Sequence, residues 1–172
     1  SIFPNVLKYS IVVPIPKTTK PKINEFRPIS LTPIMAKLIE ILMLNKYIKP
    51  LMAQKFLNDQ FAYIPKKGTG TTNALILLTQ RILKHLDKKS GVVRLLLSDF
   101  SMAFDTLYHV ACLDAFADNE ASFELVYWLH SYLNDRYQTV RLNNNYSKFY
   151  RTTSGVPQGS ILGPIIFATV LN

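Results

Sequence analysis

Two aspartates in one seven-residue segment, Asp99-Phe100-Ser101-Met102-Ala103-Phe104-Asp105, are the strongest candidates for chemistry in this sequence. They follow a mostly apolar run, residues 92–97, which predicts a strand buried on both faces. A carboxylate at the end of such a strand is costly unless a cation, a basic side chain or helix N-terminal amides compensate its charge. Carboxylate oxygens suit Mg2+, and a two-metal site of this kind supports phosphoryl transfer. From these residues alone, a helix cap at Asp99 and a solvated Asp105 explain the segment equally well.

A second candidate is the loop Ser154-Gly155-Val156-Pro157-Gln158-Gly159-Ser160. Its glycines and proline fix the loop shape, and its small residues allow a ligand to approach the backbone. Gln158 offers both a hydrogen-bond donor and an acceptor, and Ser160 is placed to cap a following helix. Ordinary turns have a similar composition, so the loop alone is a weak signal.

Basic residues near the N-terminus form the third candidate. Lys17 and Arg27 would neutralise charge that develops beside a phosphoryl group. Taken alone, they are better explained as parts of a solvated basic loop. Three aromatic residues near Lys66 and Lys67 could stack on bases: Phe56, Phe61 and Tyr63. For at least two of the three, packing in the core is the better explanation.

The elements that must position these residues mix strands and helices. Strands are predicted at residues 9–15 and 92–97, and a hairpin is predicted from residues 138–142 and 148–152 across three asparagines at 143–145. Helices are predicted at residues 34–48, capped by Thr32 with Pro33 in the first turn, at 71–86, at 121–133 and from 161 onward. We expect an apolar stripe on the second helix to face the core: Leu75, Leu78, Ile82 and Leu86. The pattern predicts an α+β fold with an antiparallel or mixed sheet.

The amino-acid composition favours some classes of protein and excludes others. The 172 residues carry 20 Lys and Arg against 11 Asp and Glu, and residues 1–70 hold eleven of the basic residues against three acids. A basic lobe beside a near-neutral one is typical of a polyanion-binding protein, although surface lysines for solubility explain it almost as well. One cysteine excludes a disulfide scaffold and a cysteine-rich zinc site. The longest apolar stretch, residues 161–171, is too short to span a bilayer, so we expect no membrane partner.

Taken together and in this order, the segments resemble the reverse transcriptase domain of non-LTR (LINE-type) retrotransposons. The resemblance runs nearly end to end, through VVPIPK, FRPISL, NDQFAY, GTGTTNAL, VRLLLSDFSMAFDTL, NDRYQTV and SGVPQGSILGPIIF. It implies a right-hand polymerase in which residues 1–172 form a partial reverse transcriptase domain. Residues 1 to about 90 would form mainly the fingers, and residues from about 91 to 172 would form mainly the start of the palm.

The resemblance also implies roles for single residues. Asp99 matches the first metal-binding aspartate of the palm, with the Phe100 backbone carbonyl as a further ligand of Mg2+ or Mn2+. Phe104 matches the bulky residue that rejects a ribose 2′-hydroxyl. Asp105 belongs to the same motif, and we expect it to orient the turn after Asp99.

Three further positions are expected to hold the nucleotide. Gln158, in a loop shaped by Pro157 and Gly159, matches the segment that contacts incoming nucleotide and template. Arg27 and Lys17 match fingers residues that hold the triphosphate.

The resemblance implies an RNA template, a DNA primer and deoxynucleoside triphosphates as partners. The remaining palm, the thumb and an endonuclease would belong to the same retrotransposon polyprotein, located in the nucleus or in a cytoplasmic ribonucleoprotein. The Phe/Tyr-x-Asp-Asp motif with the other catalytic carboxylates should follow the helix after Ser160, and the 172 residues end before it. We therefore expect these 172 residues alone to be inactive.

Two alternatives remain open from the sequence. One is a non-catalytic, nucleic-acid-binding remnant of a decayed retroelement, which would use the basic N-terminal part. The other is the palm of an RNA-dependent RNA polymerase or an intron maturase, against which Phe104 argues because it disfavours ribonucleotides.

Overall fold

A computed structural model describes residues 2–23, 25–55, 60–63, 70–88, 91–100 and 102–172 of the chain. A short 3₁₀ turn at Asn5–Leu7 precedes strands β1 (Tyr9–Pro16) and β2 (Phe26–Leu31). Helices α1 (Ile34–Met43), α2 (Lys49–Lys55) and α3 (Thr71–Leu86) follow, with a π-helical stretch at Leu44–Ile48 between the first two. The remaining elements are α4 (His109–Asp118), α5 (Phe123–Leu133), β3 (Arg136–Leu142), β4 (Asn145–Tyr146), β5 (Tyr150–Thr152) and α6 (Gly163–Leu171).

The strands form one mixed sheet in the order β2-β1-β3-β4, with β5 also paired to β3. β1 and β2 are antiparallel, with Ile11 opposite Leu31, whereas β1 and β3 are parallel, with Tyr9 opposite Tyr137. A parallel pair needs a long crossover connection, and helices α1 to α5 lie between β1 and β3 in the chain. The predicted α+β class, with a mixed sheet and flanking helices, is confirmed.

β3, β4 and β5 form the predicted hairpin with a tighter turn than expected. Leu142 pairs with Asn145, which leaves a two-residue turn whose first residue, Asn143, has a φ of 53°. Asparagine tolerates this left-handed conformation better than most residues. Arg141 lies opposite Tyr146 but Gln138 lies opposite Tyr150, so the returning strand carries one extra residue. This bulge bends the strand before it enters the loop at residues 154–160.

The core is built around aromatic residues of α5 and the N-terminal segment. The ring of Phe3 meets Trp128 at 5.8 Å and Tyr132 at 5.1 Å, both edge-on, and all three side chains are buried. Helix α4 packs against both α5 and α6 and buries Cys112 and Phe116. This packing fixes α6, and α6 in turn fixes the end of the loop that precedes it.

The predicted helix at residues 34–48 begins where expected but runs on through Pro50. Proline lacks an N–H, and just before it the N–H of Lys49 bonds to the carbonyl of Leu44 in the wider π pattern. No side chain caps α1, so the expected cap by Thr32 is wrong. The fully buried residues of α1 are Ala36 and Glu40, and Ile39 and Met43 pack partly buried against the core. Five other large apolar residues of the helix are exposed: Ile34, Met35, Leu38, Ile41 and Leu42.

Two predictions about burial are wrong. Residues 92–97 do not form a strand: they pair with none of the strands in the described chain, and Leu96 is 91% exposed. Helix α3 has the predicted bounds, but it buries none of its described residues, and Leu75 is 63% exposed. A strand needs a partner to satisfy its backbone groups, and an apolar stripe needs a surface to cover it.

No helix in the described ranges combines the length and the apolar character needed to cross a membrane.

Candidate active site

A cleft of about 1090 Å³ brings together most of the residues singled out in the sequence. Its lining includes seven of them: Lys17, Arg27, Asp99, Phe100, Phe104, Asp105 and Gln158. They come from the end of β1, from β2, from the segment at residues 99–105 and from the loop before α6. The other two, Pro157 and Gly159, flank Gln158 in the chain. A combination of carboxylates, cations, aromatic rings and an amide in one cleft is suited to a phosphate-bearing substrate.

The two aspartates differ in their surroundings. Asp99 is exposed, and its Oδ1 accepts a hydrogen bond of 2.9 Å from the N–H of Phe100. It therefore does not lie at the end of a buried strand, as the sequence predicted. Partial burial raises the pKa of Asp105, and the turn that carries Asp105 is closed by a 2.9 Å bond from its N–H to the carbonyl of Met102. Both side chains face the same cleft.

The oxygen atoms of these aspartates are of the type that binds a hard divalent cation. Carboxylate and backbone carbonyl oxygens are the ligands that Mg2+ and Mn2+ prefer. Within the described residues, however, no three His, Cys, Asp or Glu side chains come together as a metal site. The described part of the chain thus provides oxygen ligands for a cation without a complete protein cage, and Mg2+ sites commonly add waters and substrate phosphates.

Aromatic side chains form one wall of the cleft. Phe104 packs against Phe167 at 5.3 Å between ring centroids, and Phe100 meets the same ring edge-on at 5.8 Å. Tyr63 approaches Phe104 at 6.4 Å and is 51% exposed. No sequence motif indicated Phe167, since an apolar residue on a helix is normally part of the core. Phe56, Lys66 and Lys67, considered above as base-stacking and basic residues, lie outside the described residues.

The loop at residues 154–160 is held against the turn that carries Phe104. The N–H groups of Gly155 and Val156 donate to the carbonyls of Leu107 and Phe104 at 2.7 and 2.8 Å. Gly155 has a φ of 81°, and a Cβ there would lie 2.8 Å from the carbonyl oxygen of Asp105. Only glycine fits this close approach of two backbones, so the loop and the turn form one rigid unit.

The strand β2 holds the other side of the same loop. The N–H of Ser30 donates to the carbonyl of Gln158 at 2.7 Å, which fixes the backbone of the candidate nucleotide-binding residue. Arg27 lies on the same strand, and Lys17 follows β1, where its N–H bonds to the carbonyl of Glu25 at 2.8 Å. The β1–β2 pair therefore carries both cations to the cleft that Gln158 also lines.

Two residues that the sequence analysis did not single out also hold this loop. His109 of α4, which is buried, donates from Nε2 to the carbonyl of Gly155 at 2.9 Å. Glu40 of α1, fully buried, accepts from the N–H groups of Ile161 and Leu162 at 2.7 and 3.2 Å. The N-cap residue of α6 is Leu162 and not, as the sequence predicted, Ser160, but Ser160 Oγ still accepts from the N–H of Gly163, the first residue of the helix, at 3.0 Å. A single acid on an amphipathic helix normally indicates a solvated face, so the sequence offered no signal for Glu40.

Most of the chain is similar to one known protein family. Residues 15–172 match the family model described as reverse transcriptase (RNA-dependent DNA polymerase). The chain belongs to the reverse transcriptase family, which confirms the membership that its motifs indicated.

Similar proteins come from mobile elements of Drosophila melanogaster. The chain is 33% identical over 171 residues to the probable RNA-directed DNA polymerase from transposon BS and 32% identical over 168 residues to that from transposon X-element. It is 29% identical over 168 residues to the RNA-directed DNA polymerase from mobile element jockey. Each comparison covers 96% of this chain but only 18% of the relative, so the chain spans about a fifth of the length of these relatives.

Proposed function

We propose that this chain is part of a longer RNA-directed DNA polymerase of a non-LTR retrotransposon. Residues of about 1–90 supply mainly the fingers, and residues of about 91–172 supply the start of the palm. The observation that carries this proposal is the single cleft lined by Asp99, Arg27, Lys17, Phe104 and Gln158. These side chains lie up to 141 residues apart in the sequence, and the fold of a reverse transcriptase explains why they meet.

The reaction would join a deoxynucleotide to a primer. The 3′-hydroxyl of the primer attacks the α-phosphorus of a deoxynucleoside triphosphate, a new P–O bond forms, and pyrophosphate leaves. Arg27 and Lys17 hold the triphosphate and neutralise its charge. Gln158 contacts the incoming nucleotide and the template, and Phe104 excludes a ribose 2′-hydroxyl by its bulk.

A divalent cation fits the acidic side of this cleft. Asp99 and the backbone carbonyl of Phe100 would hold it, and Asp105 orients the turn that places them. Mg2+ or Mn2+ supplies charge neutralisation on the phosphates and a lowered pKa of the attacking hydroxyl. Further carboxylates from the rest of the polymerase would complete the ligand set.

The surface of the described chain supports the proposal that more polypeptide packs on it. Large apolar side chains are exposed on α1, on α3 and along residues 92–97. Elements that expose several large apolar side chains are typical of interfaces. The remaining palm and the thumb would cover it, and an RNA template with its DNA primer would occupy the cleft beside the basic N-terminal part.

Primer extension by the polypeptide that carries this chain tests the proposal. With an RNA template, a DNA primer and Mg2+ or Mn2+, we expect Asp99→Asn to reduce extension by more than about 100-fold, as expected when a group that stabilises the transition state is lost. Asp114→Asn is the matched control, since Asp114 is exposed on α4 and does not line the cleft. Equal activity of Asp99→Asn and wild type would show that Asp99 is not a catalytic ligand. No extension by wild type would overturn the proposed function itself.

A further inference from the structure

Glu40 is a buried acid that bonds to the backbone immediately after the candidate nucleotide-binding loop. It is 0% exposed and lies on α1, a helix that also exposes five large apolar residues. It does not line the cleft. A buried carboxylate is costly, and its retention needs specific partners.

The partners of Glu40 are the amides that start α6. Its Oε2 accepts from the N–H of Ile161 at 2.7 Å and from the N–H of Leu162 at 3.2 Å, while Ser160 Oγ accepts from the next amide, that of Gly163. These N–H groups have no partner within a helix, so the two side chains satisfy the helix start together. A negative charge at this end also interacts favourably with the helix dipole.

Two other buried side chains, Tyr132 and Arg136, influence the pKa of Glu40. Burial raises the pKa of Glu40, and the N–H groups of Leu162 and Ile161, the hydroxyl of Tyr132 and the guanidinium of Arg136 act in the opposite direction. Tyr132 is fully buried and Arg136 nearly so. Glu40 thus bonds directly to the backbone that leads into α6, and the charge it carries is influenced by Tyr132 of α5 and Arg136 of β3.

The anchored amides lie only three and four residues beyond Gln158. On its other side Gln158 is held by β2, through the 2.7 Å bond from the N–H of Ser30. The backbone that carries Gln158 is therefore fixed between a strand amide and the carboxylate of Glu40. The same anchor sets the start of α6, which carries Phe167 against Phe104 and Phe100 in the cleft.

We propose that Glu40 is a positioning residue that holds Gln158 and Phe167 in register with the cleft, and so sets the affinity of the polymerase for the incoming deoxynucleotide. This inference rests on the proposed function. Glu40 acts through the backbone of residues 158–162 and does not touch the substrate. Displacement of a binding group by about 1 Å is enough to change turnover or binding by up to about 100-fold.

The first test measures the anchor itself, without any need for catalysis. Hydrogen–deuterium exchange is followed at residues 155–163 in the polypeptide that carries this chain, as wild type, Glu40→Leu and Glu40→Gln. We expect the amides of Ile161 and Leu162 to exchange at least about tenfold faster in Glu40→Leu and less so in Glu40→Gln, which keeps an acceptor oxygen. Met52→Ala is the matched control, because Met52 is equally buried and contacts α6 at Thr169, away from the loop. Unchanged exchange in both Glu40 variants would overturn the anchor.

The second test measures the consequence by steady-state primer extension. In Glu40→Leu we expect the KM for the deoxynucleotide to rise about tenfold while kcat changes by less than about twofold, with a smaller rise in Glu40→Gln and none in Met52→Ala. Should Glu40→Leu not fold, Glu40→Gln carries the test. Active Glu40 variants with a wild-type KM would overturn the inference alone. A wild type without extension overturns the proposed function, and the exchange measurement then still decides whether Glu40 holds the loop.

Discussion

Phe104 gives the most specific prediction about which nucleotide the proposed polymerase would accept. Its ring lines the cleft between Tyr63 and Phe167, on the turn that follows Asp99. Its ring packs against both neighbours, so it has a defined position in the cleft.

Phe104→Ala in the polypeptide that carries this chain should relax discrimination against ribonucleotides. Removal of the ring opens space at the sugar, so the ratio of kcat/KM for a deoxynucleotide to that for the matching ribonucleotide should fall by at least about tenfold. Phe123→Ala is the control, since Phe123 is 79% exposed on α5 and lies outside the cleft lining. An unchanged ratio in Phe104→Ala would remove the assignment of Phe104 as the sugar-selecting residue.

Residue types in motifs indicated the cleft members well, but they did not indicate the residues that support them. Asp99, Phe104 and Gln158 stand in segments whose composition was unusual enough to single out. Glu40, His109 and Phe167 stand in helices without an unusual motif, where an acid, a histidine and an aromatic residue have common structural roles. Their contacts at the loop and the cleft depend on residues between 46 and 122 positions away, which no local pattern reveals.

At the scale of elements, the loop before α6 depends on close contact with β2. Gly159 has a φ of 123°, and a Cβ there would lie 2.8 Å from the carbonyl oxygen of Ser30. Gly70 has the same φ of 123°, but nothing lies within 4 Å of its Cβ position. A comparison of substitutions at the two glycines therefore separates the cost of backbone strain from the cost of steric contact.

Gly159→Ala should destabilise the chain more than Gly70→Ala does. Both variants bear the backbone cost of an alanine at positive φ, roughly 1–3 kcal/mol, and only the first also pushes β2 away from the loop. Chemical denaturation of the two variants measures the difference in free energy of unfolding. Equal losses would mean that the loop moves away from Ser30 at no cost.

Local pattern predicted where helices lie better than which side they bury. The bounds of α3 agree with the apolar period, because periodicity is a local property, although no side chain caps the start of this helix. The exposure of α3, of the apolar residues of α1 and of residues 92–97 was not predictable, since burial depends on which other surface is present. The predicted strand at residues 92–97 has no partner among the described strands, and a lone strand cannot satisfy its backbone.

At the scale of the whole molecule, the buried charge of Glu40 couples folding to pH. Burial raises its pKa in the folded chain, so the folded state holds the proton more tightly than the unfolded state. The resulting stability is fully present below the ordinary carboxyl pKa of about 4.3 and is lost as pH rises through the raised pKa.

Urea unfolding of wild type and Glu40→Gln between pH 4 and pH 8 should show this loss. The free energy of unfolding of wild type, relative to Glu40→Gln, should decrease as pH rises and then level off, because glutamine does not titrate. Asp105, whose pKa is also raised by burial, is present in both proteins and cancels in the difference. An increase with pH in the free energy of unfolding of wild type, relative to Glu40→Gln, would show that the hydrogen bonds from the amides of residues 161 and 162 lower the pKa of Glu40 by more than burial raises it.

The 172-residue chain by itself should bind nucleic acid without extending a primer. Its formal charge is +9, with the excess in the first 70 residues, so affinity for an RNA–DNA duplex should fall steeply as salt rises. The described cleft contains two aspartates, which leaves the carboxylate set of a two-metal site incomplete. Fluorescence anisotropy at several salt concentrations and a primer-extension assay measure the two properties. Extension by the chain alone would contradict the incomplete ligand set.

The sequence by itself determined the family and the α+β class and indicated the candidate site residues, because these depend on local composition, on spacing and on the order of motifs along the chain. Only the tertiary structure decided that Lys17, Arg27, Phe104 and Gln158 line one cleft and that Glu40 holds the loop beside it. The physical reason is range: hydrogen bonds and ring contacts act over a few ångströms in space, whereas the residues that make them are separated by tens to more than a hundred positions in the chain.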